Sequence, residues 1–141
     1  MALELGANGV VVSENEEEMK QYEKYFTFIL VTIPDPFDLT PYINLIHRRG
    51  SLVTVGLLAP YKAPLNNMMI ASQARSVGGS LIGGIAETQE VLDFCAKHNI
   101  LPDVELIDIE DINEAYKKIK DEDVRFRYVI DLASLNNKIS K

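Results

Sequence analysis

The sequence predicts an α/β protein built around a parallel β-sheet. Three observations carry that reading: four short apolar runs at residues 9–12, 27–33, 51–56 and 76–82, helix start and stop signals between them, and the unbroken apolar stretch Phe28-Ile29-Leu30-Val31. Strands that alternate with helical segments favour parallel pairing through right-handed crossovers. A strand apolar at every position is expected where both sheet faces are covered.

Taken in order, the run at 9–12 is the first visible strand. Ser13-Glu14-Asn15-Glu16 follows with the spacing of a capping box, in which a Ser oxygen accepts a first-turn N–H and Glu16 reaches back. Glu16, Glu17 and Glu18 then lie where the positive end of the helix dipole favours acids. The second strand covers 27–33. Thr40-Pro41 reads as cap and first residue of the next helix, and Arg48-Arg49-Gly50 as its cationic last turn and glycine stop. Strands at 51–56 and 76–82 complete the first series. The glycine cluster at 78–84 is the expected place for a subdomain boundary.

Beyond it, Val91, Leu92 and Cys95 share one face of a helix ending near His98. A short strand is expected at 104–107. Ile112, Ala115, Tyr116 and Ile119 mark an amphipathic helix with acids in its first turn and lysines in its last. A strand over 125–132 closes the chain.

At 141 residues the chain is long enough for one buried core, and a hydrophobic fraction of 47% with 25% charged residues is ordinary for a globular protein. A net charge of −7 argues against a nucleic-acid surface, which needs clustered cations to displace phosphate counterions. The one basic cluster, Lys117, Lys118 and Lys120, is followed at once by Asp121, Glu122 and Asp123 and reads as a solvated helix end. No apolar run approaches the roughly 20 residues of a membrane span, and no signal-peptide pattern opens the chain. The lone Cys95 excludes an internal disulfide and fits a reducing, cytoplasmic compartment.

Several local strings, in this order, resemble the zinc-dependent medium-chain dehydrogenases, in particular their cinnamyl alcohol dehydrogenase-like branch. They are 2–7 (ALELGA), 49–56 (RGSLVTVG), 79–84 (GSLIGG), 87–95 (ETQEVLDFC), 112–116 (INEAY) and 123–131 (DVRFRYVID). The resemblance implies a Rossmann-type parallel sheet whose first two strands are missing. Residues 1–100 would be a partial cofactor-binding domain, and 101–141 a short βαβ segment of the catalytic domain.

Two parts of such an enzyme are not written in these residues. No G-x-G-x-x-G turn is present to bring backbone N–H groups to a pyrophosphate. A catalytic zinc needs about three protein ligands and an open position, and one Cys with two His do not supply them. Cys95 and His98 are spaced i, i+3, yet a buried Cys and a helix-end His explain them more simply, and His47 is likewise read as a helix-end residue. The parent enzyme would therefore use zinc and NADP, or NAD, with no zinc ligand in this chain.

Ligands of open α/β sheets bind beyond the carboxyl ends of the strands. That rule points to Val31-Thr32-Ile33, Val55-Gly56-Leu57 and Ser80-Leu81-Ile82. The resemblance implies the same three places. Thr32 would lie beside a cofactor ribose, and Gly56 where the nicotinamide ribose meets backbone. The carbonyls of Val55 and Ser80 and the N–H of Ile82 would hold the nicotinamide carboxamide. Leu81 and Ile82 would form an apolar wall, and Arg127 would reach the pyrophosphate. Each has a simpler alternative: a strand Thr, a turn glycine, core residues, a surface Arg.

The resemblance also implies a homodimer in which residues 76–82, from Ser76 to Ile82, pair with their own copy. Met68, Met69 and Ile70 would then lie beside the partner's substrate cleft, or else form a short core helix. The expected activity is interconversion of a small alcohol and aldehyde by the whole enzyme, the chain alone being inactive. The alternative is a non-catalytic dimerising α/β module, or a weak nucleotide-binding protein. A receiver-like domain is disfavoured, because Ser13, not Asp, follows the first strand.

Overall fold

The computed structural model describes residues 1–56, 59–120 and 127–135. It contains two compact units, Met1–Ile82 and Gly83–Lys141, so the division falls within the glycine cluster.

The first unit carries α1 (Glu16–Gln21), β1 (Phe26–Val31), α2 (Thr40–Leu45), β2 (Ile46–Thr54), α3 (Asn67–Ala71) and β3 (Ser76–Gly79). The three strands form one parallel sheet in the order β1-β2-β3. With the strands laid down in one direction, right-handed crossovers bring α2 and α3 to the same sheet face. The core lies there: Val31, Leu39, Ile43, Ile46 and Leu52 are buried, with Phe37, Tyr42, Tyr61, Met69 and Ile70 packed against them. Each of the five buried side chains contributes about 1.5–3 kcal/mol on burial.

The opposite face carries Phe28 and Leu30, which are 56% and 53% exposed. The stretch expected to be covered on both sides is therefore covered on one. Residues 9–12, expected as a strand, belong to no ladder. An extended segment becomes a strand only when a neighbour supplies its hydrogen-bonding partners, and no described residues do so here.

Three local readings are corrected. Asn15, not Ser13, caps α1: its Oδ1 accepts the Glu18 N–H at 3.3 Å, while the Glu18 carboxylate accepts the Asn15 amide at 2.9 Å and the Val12 N–H at 3.2 Å. Leu39 is the cap residue of α2, whose Thr40 N–H is taken by Asp38 Oδ1 at 2.9 Å. His47, Arg48, Arg49 and Gly50 belong to β2, because α2 stops at Leu45. Arg49, not glycine, adopts the left-handed backbone there (φ 65°), and its N–H is held by Gln73. Gly50 is needed for close packing, since an added Cβ would lie 2.6 Å from Ile46 Cγ2.

The second unit contains α4 (Ile85–His98), then β4 (Glu105–Asp108), α5 (Ile112–Lys120) and β5 (Tyr128–Asp131). β4 and β5 pair in parallel with α5 between them in sequence, the expected βαβ segment. In α4 the Glu87 carboxylate accepts the Gly84 N–H at 2.6 Å, and Asn99 (φ 53°) ends the helix in a left-handed cap. Residues 121–126, the start of the predicted final strand included, lie outside the described residues; β5 begins at Tyr128.

Candidate functional site at three strand tips

Register fixes which residues share the carboxyl end of the first sheet. Val31 pairs with Thr54, and Thr54 with Gly79, so the chain leaves all three strands at one level. The ladder then runs one step further: the Val55 N–H reaches Val31 O at 2.9 Å and the Ser80 N–H reaches Thr54 O at 3.2 Å. Thr32, Val55, Gly56 and Ser80 are thereby brought together on adjacent tips. Leu81 and Ile82 follow Ser80 in the same segment. Thr32, Val55, Ser80, Leu81 and Ile82 are exposed.

Gly56 is packed more tightly than a turn residue requires. A Cβ there would collide with the Thr32 carbonyl and lie 2.8 Å from the Ile33 oxygen. Absence of a side chain thus lets the ends of β1 and β2 approach each other closely, a reason for glycine that spacing alone did not reveal.

Two residues that hold these tips carried no sequence signal. Thr54, buried at the end of β2, shares a 2.9 Å hydrogen bond between its Oγ1 and the Tyr61 hydroxyl. The Tyr61 ring meets Phe37 edge-on at 5.9 Å, and the Lys62 N–H donates to Phe37 O at 3.0 Å. The segment after β2 is thereby tied to the segment after β1. At the opposite end Arg75 is buried without a carboxylate partner among the described residues. Its Nε donates to Ile46 O at 2.9 Å and a terminal nitrogen to Met69 O at 3.0 Å. Desolvation moves its pKa below the ordinary arginine value, and the group stays cationic.

Met69 and Ile70 pack on the core while Met68 is exposed. Arg127 sits apart in sequence, in the second unit, one residue before β5, where its carbonyl accepts the Glu105 N–H at 3.0 Å. Cys95 and His98 lie one turn apart on α4, with His98 against the Phe94 ring at 4.4 Å. Among the described residues no three His, Cys, Asp or Glu are grouped to hold a metal, and no helix is long and apolar enough to cross a membrane. A cleft of about 430 Å³ between α1 and α2 in the first unit is lined in part by Glu14, Glu16, Glu23 and Asp38 and does not reach the three tips.

The zinc-binding dehydrogenase family model matches residues 1–97, more than half of the chain. The chain belongs to the zinc-binding dehydrogenase family. It is 45% identical over 134 residues to the aldehyde reductase YahK of Escherichia coli, covering 94% of this chain and 38% of that protein. A cinnamyl alcohol dehydrogenase of Sorghum bicolor superposes with a TM-score of 0.81 at 29% identity, over 94% of this chain and 37% of the other. The Helicobacter pylori enzyme solved as a complex with NADP(H) superposes with a TM-score of 0.65 at 42% identity, over 82% and 34%. The chain therefore spans a little more than a third of these relatives' length, and its parallel sheet is a portion of their Rossmann-type fold.

Proposed function

We propose that the chain is the C-terminal portion of a zinc-dependent alcohol dehydrogenase that interconverts a small alcohol and its aldehyde with NADP(H). The observation that carries the proposal is the registered set of tips at Thr32, Val55–Gly56 and Ser80–Ile82, in a member of this family. Residues 1–100 then belong to the cofactor-binding domain and 101–141 to the catalytic domain. The relative solved with NADP(H) favours that cofactor over NAD.

The residues present fit the nicotinamide half of such a cofactor. The tips offer one hydroxyl at Thr32, peptide carbonyls at Val55 and Ser80, peptide N–H groups at Leu81 and Ile82, and an apolar wall. When bound, a nicotinamide supplies hydride chemistry; this chain's work is to orient the ring and exclude water. The Thr32 hydroxyl is suited to a ribose, the Val55 and Ser80 carbonyls to a carboxamide NH₂, and the Ile82 N–H to its oxygen. The Arg127 guanidinium is suited to a pyrophosphate, whose oxygens its planar fork meets in pairs. The chain's own Cys and His residues do not fit a catalytic zinc, so its ligands would come from the rest of the enzyme.

The free edge of β3 supports a second part of the proposal. A parallel sheet ending on an exposed strand offers unpaired backbone groups. A homodimer joined through residues 76–82 satisfies them across a two-fold axis. A cytoplasmic location fits the single, unpaired Cys95.

The test is a chimera in which this chain replaces the matching 38% of the E. coli aldehyde reductase. Zinc-dependent reduction of an aldehyde by NADPH is expected, with Arg127→Ala raising the KM for NADPH about tenfold, as for loss of a bidentate phosphate contact worth about 1.4 kcal/mol. A folded, zinc-loaded chimera that binds NADPH and reduces no aldehyde would contradict the proposal.

A further inference from the structure

Thr54 stands one residue inside the tip formed by Val55 and Gly56. It is the last residue of the central strand β2, held in register between Val31 and Gly79. Its backbone and side chain are both engaged. The carbonyl accepts the Ser80 N–H, and the buried Oγ1 shares its 2.9 Å hydrogen bond with the Tyr61 hydroxyl. Tyr61 is half-buried and is itself held in place. Phe37 meets its ring edge-on and meets Tyr42 of α2 in the same way at 5.6 Å, while the N–H of the next residue, Lys62, is taken by Phe37 O. The hydroxyl pair therefore joins the end of β2 to a segment fastened to the chain that leaves β1 beyond Thr32.

Cohesion alone does not call for two hydroxyls here. An aliphatic side chain at position 54 could pack against the same rings, and a buried hydroxyl costs stability unless it is partnered. What the pair adds is direction, since a hydrogen bond has a preferred distance and angle and apolar contact has neither. Resting on the nicotinamide reading above, we propose that Tyr61 is a positioning residue: its bond to Thr54 sets the spacing between the Thr32 tip and the Val55–Gly56 tip, and with it the affinity for a nicotinamide nucleotide. Thr32 and Val55 address different parts of that ligand, so both serve it only at one spacing. Without the bond the tips sample other spacings, and the apparent dissociation constant rises by the inverse of the fraction still competent. For one net hydrogen bond that rise is about fivefold.

The test uses the full chain with reduced nicotinamide mononucleotide as probe, amide chemical shifts to read affinity and urea midpoints to read stability. In the wild type the probe is expected to shift the amides of Thr32, Val55 and Gly56 along one saturable curve. Tyr61→Phe keeps the ring and strands the Thr54 hydroxyl, so the midpoint is expected to fall and the dissociation constant to rise about fivefold. Thr54→Ser keeps a hydroxyl and is expected to bind within about twofold of the wild type. The decisive variant combines Tyr61→Phe with Thr54→Val. No polar group is then left unpaired, so the midpoint is expected to return close to that of the wild type while the weakened binding persists. Binding restored together with stability in the double variant, or unchanged in Tyr61→Phe, would overturn the inference and leave the wild-type shifts to support the site. A probe that shifts none of the three amides in the wild type would overturn the site reading and this inference with it.

Discussion

At the scale of single residues, Gly56 and Asp38 show how small groups fix a strand tip and a helix start. The Gly56 backbone lies so close to Thr32 and Ile33 that a methyl group has no room, and the obstructing atoms are backbone rather than a flexible side chain. Gly56→Ala is expected to destabilise the chain by about 1–3 kcal/mol, the usual cost of overpacking, read as a lower urea midpoint. Asp38 acts through charge. Its carboxylate accepts the Thr40 N–H at the start of α2, and that bond holds its pKa below the ordinary aspartate value. A carboxyl with a depressed folded-state pKa adds stability above its unfolded pKa and loses it as pH falls through the folded one. Wild type is therefore expected to be more stable than Asp38→Asn at neutral pH, with the difference vanishing below the ordinary aspartate range in acid titrations followed by circular dichroism. Equal stabilities at neutral pH would contradict this. Such roles were hard to read in advance. Ser13 and Asn15 both carry capping oxygens two residues apart, and geometry, not residue type, selected Asn15.

At the scale of elements, the turns entering the strands follow a common pattern. Lys24 stands two residues before β1, Ala74 two before β3, and Arg49 two before Ser51, where continuous pairing of β2 with β1 begins; all three are left-handed. Lys24 and Ala74 turn the chain from a helix into the sheet, and Arg49 bends β2 ahead of its continuous pairing with β1, work that glycine does without steric cost. Ala74→Gly is expected to stabilise the chain by about 0.5–1 kcal/mol, the relief of left-handed strain less the added entropy of the unfolded chain. The check is a higher urea midpoint at unchanged slope; a lower midpoint would contradict it. The element types were largely legible: strands cover most of the expected spans 27–33 and 51–56, although β2 begins earlier, at Ile46, and helices follow Gly84 as apolar period and caps indicate. Residues 9–12 were not, because apolar character specifies a strand only when a neighbour is present to pair with it. The end of α2 was missed because the helix passes directly into β2 through an extended Ile46, a residue with no stop signal.

At the scale of the whole molecule, one sheet face is packed and the other is not. The packed face holds the buried core; Phe28 and Leu30 on the other remain exposed. A parallel sheet is ordinarily covered on both sides, and the relatives are well over twice as long as the part they share with this chain. The tips were legible because the strand-end rule and the family strings converge on the same positions. The Tyr61–Thr54 bond and the buried Arg75 were not, since their partners are set by tertiary contacts across seven and 29 residues.

The central claim is that the registered tips form the nicotinamide half of a cofactor cradle, with the other half outside this chain. The most direct measurement titrates the chain separately with reduced nicotinamide mononucleotide and with adenosine 2′,5′-bisphosphate, following every backbone amide. The account predicts saturable shifts at Thr32, Gly56 and Ser80 with the first compound and none with the second. Shifts at these residues with the adenosine compound alone, or nicotinamide binding confined to residues away from the three tips, would contradict it.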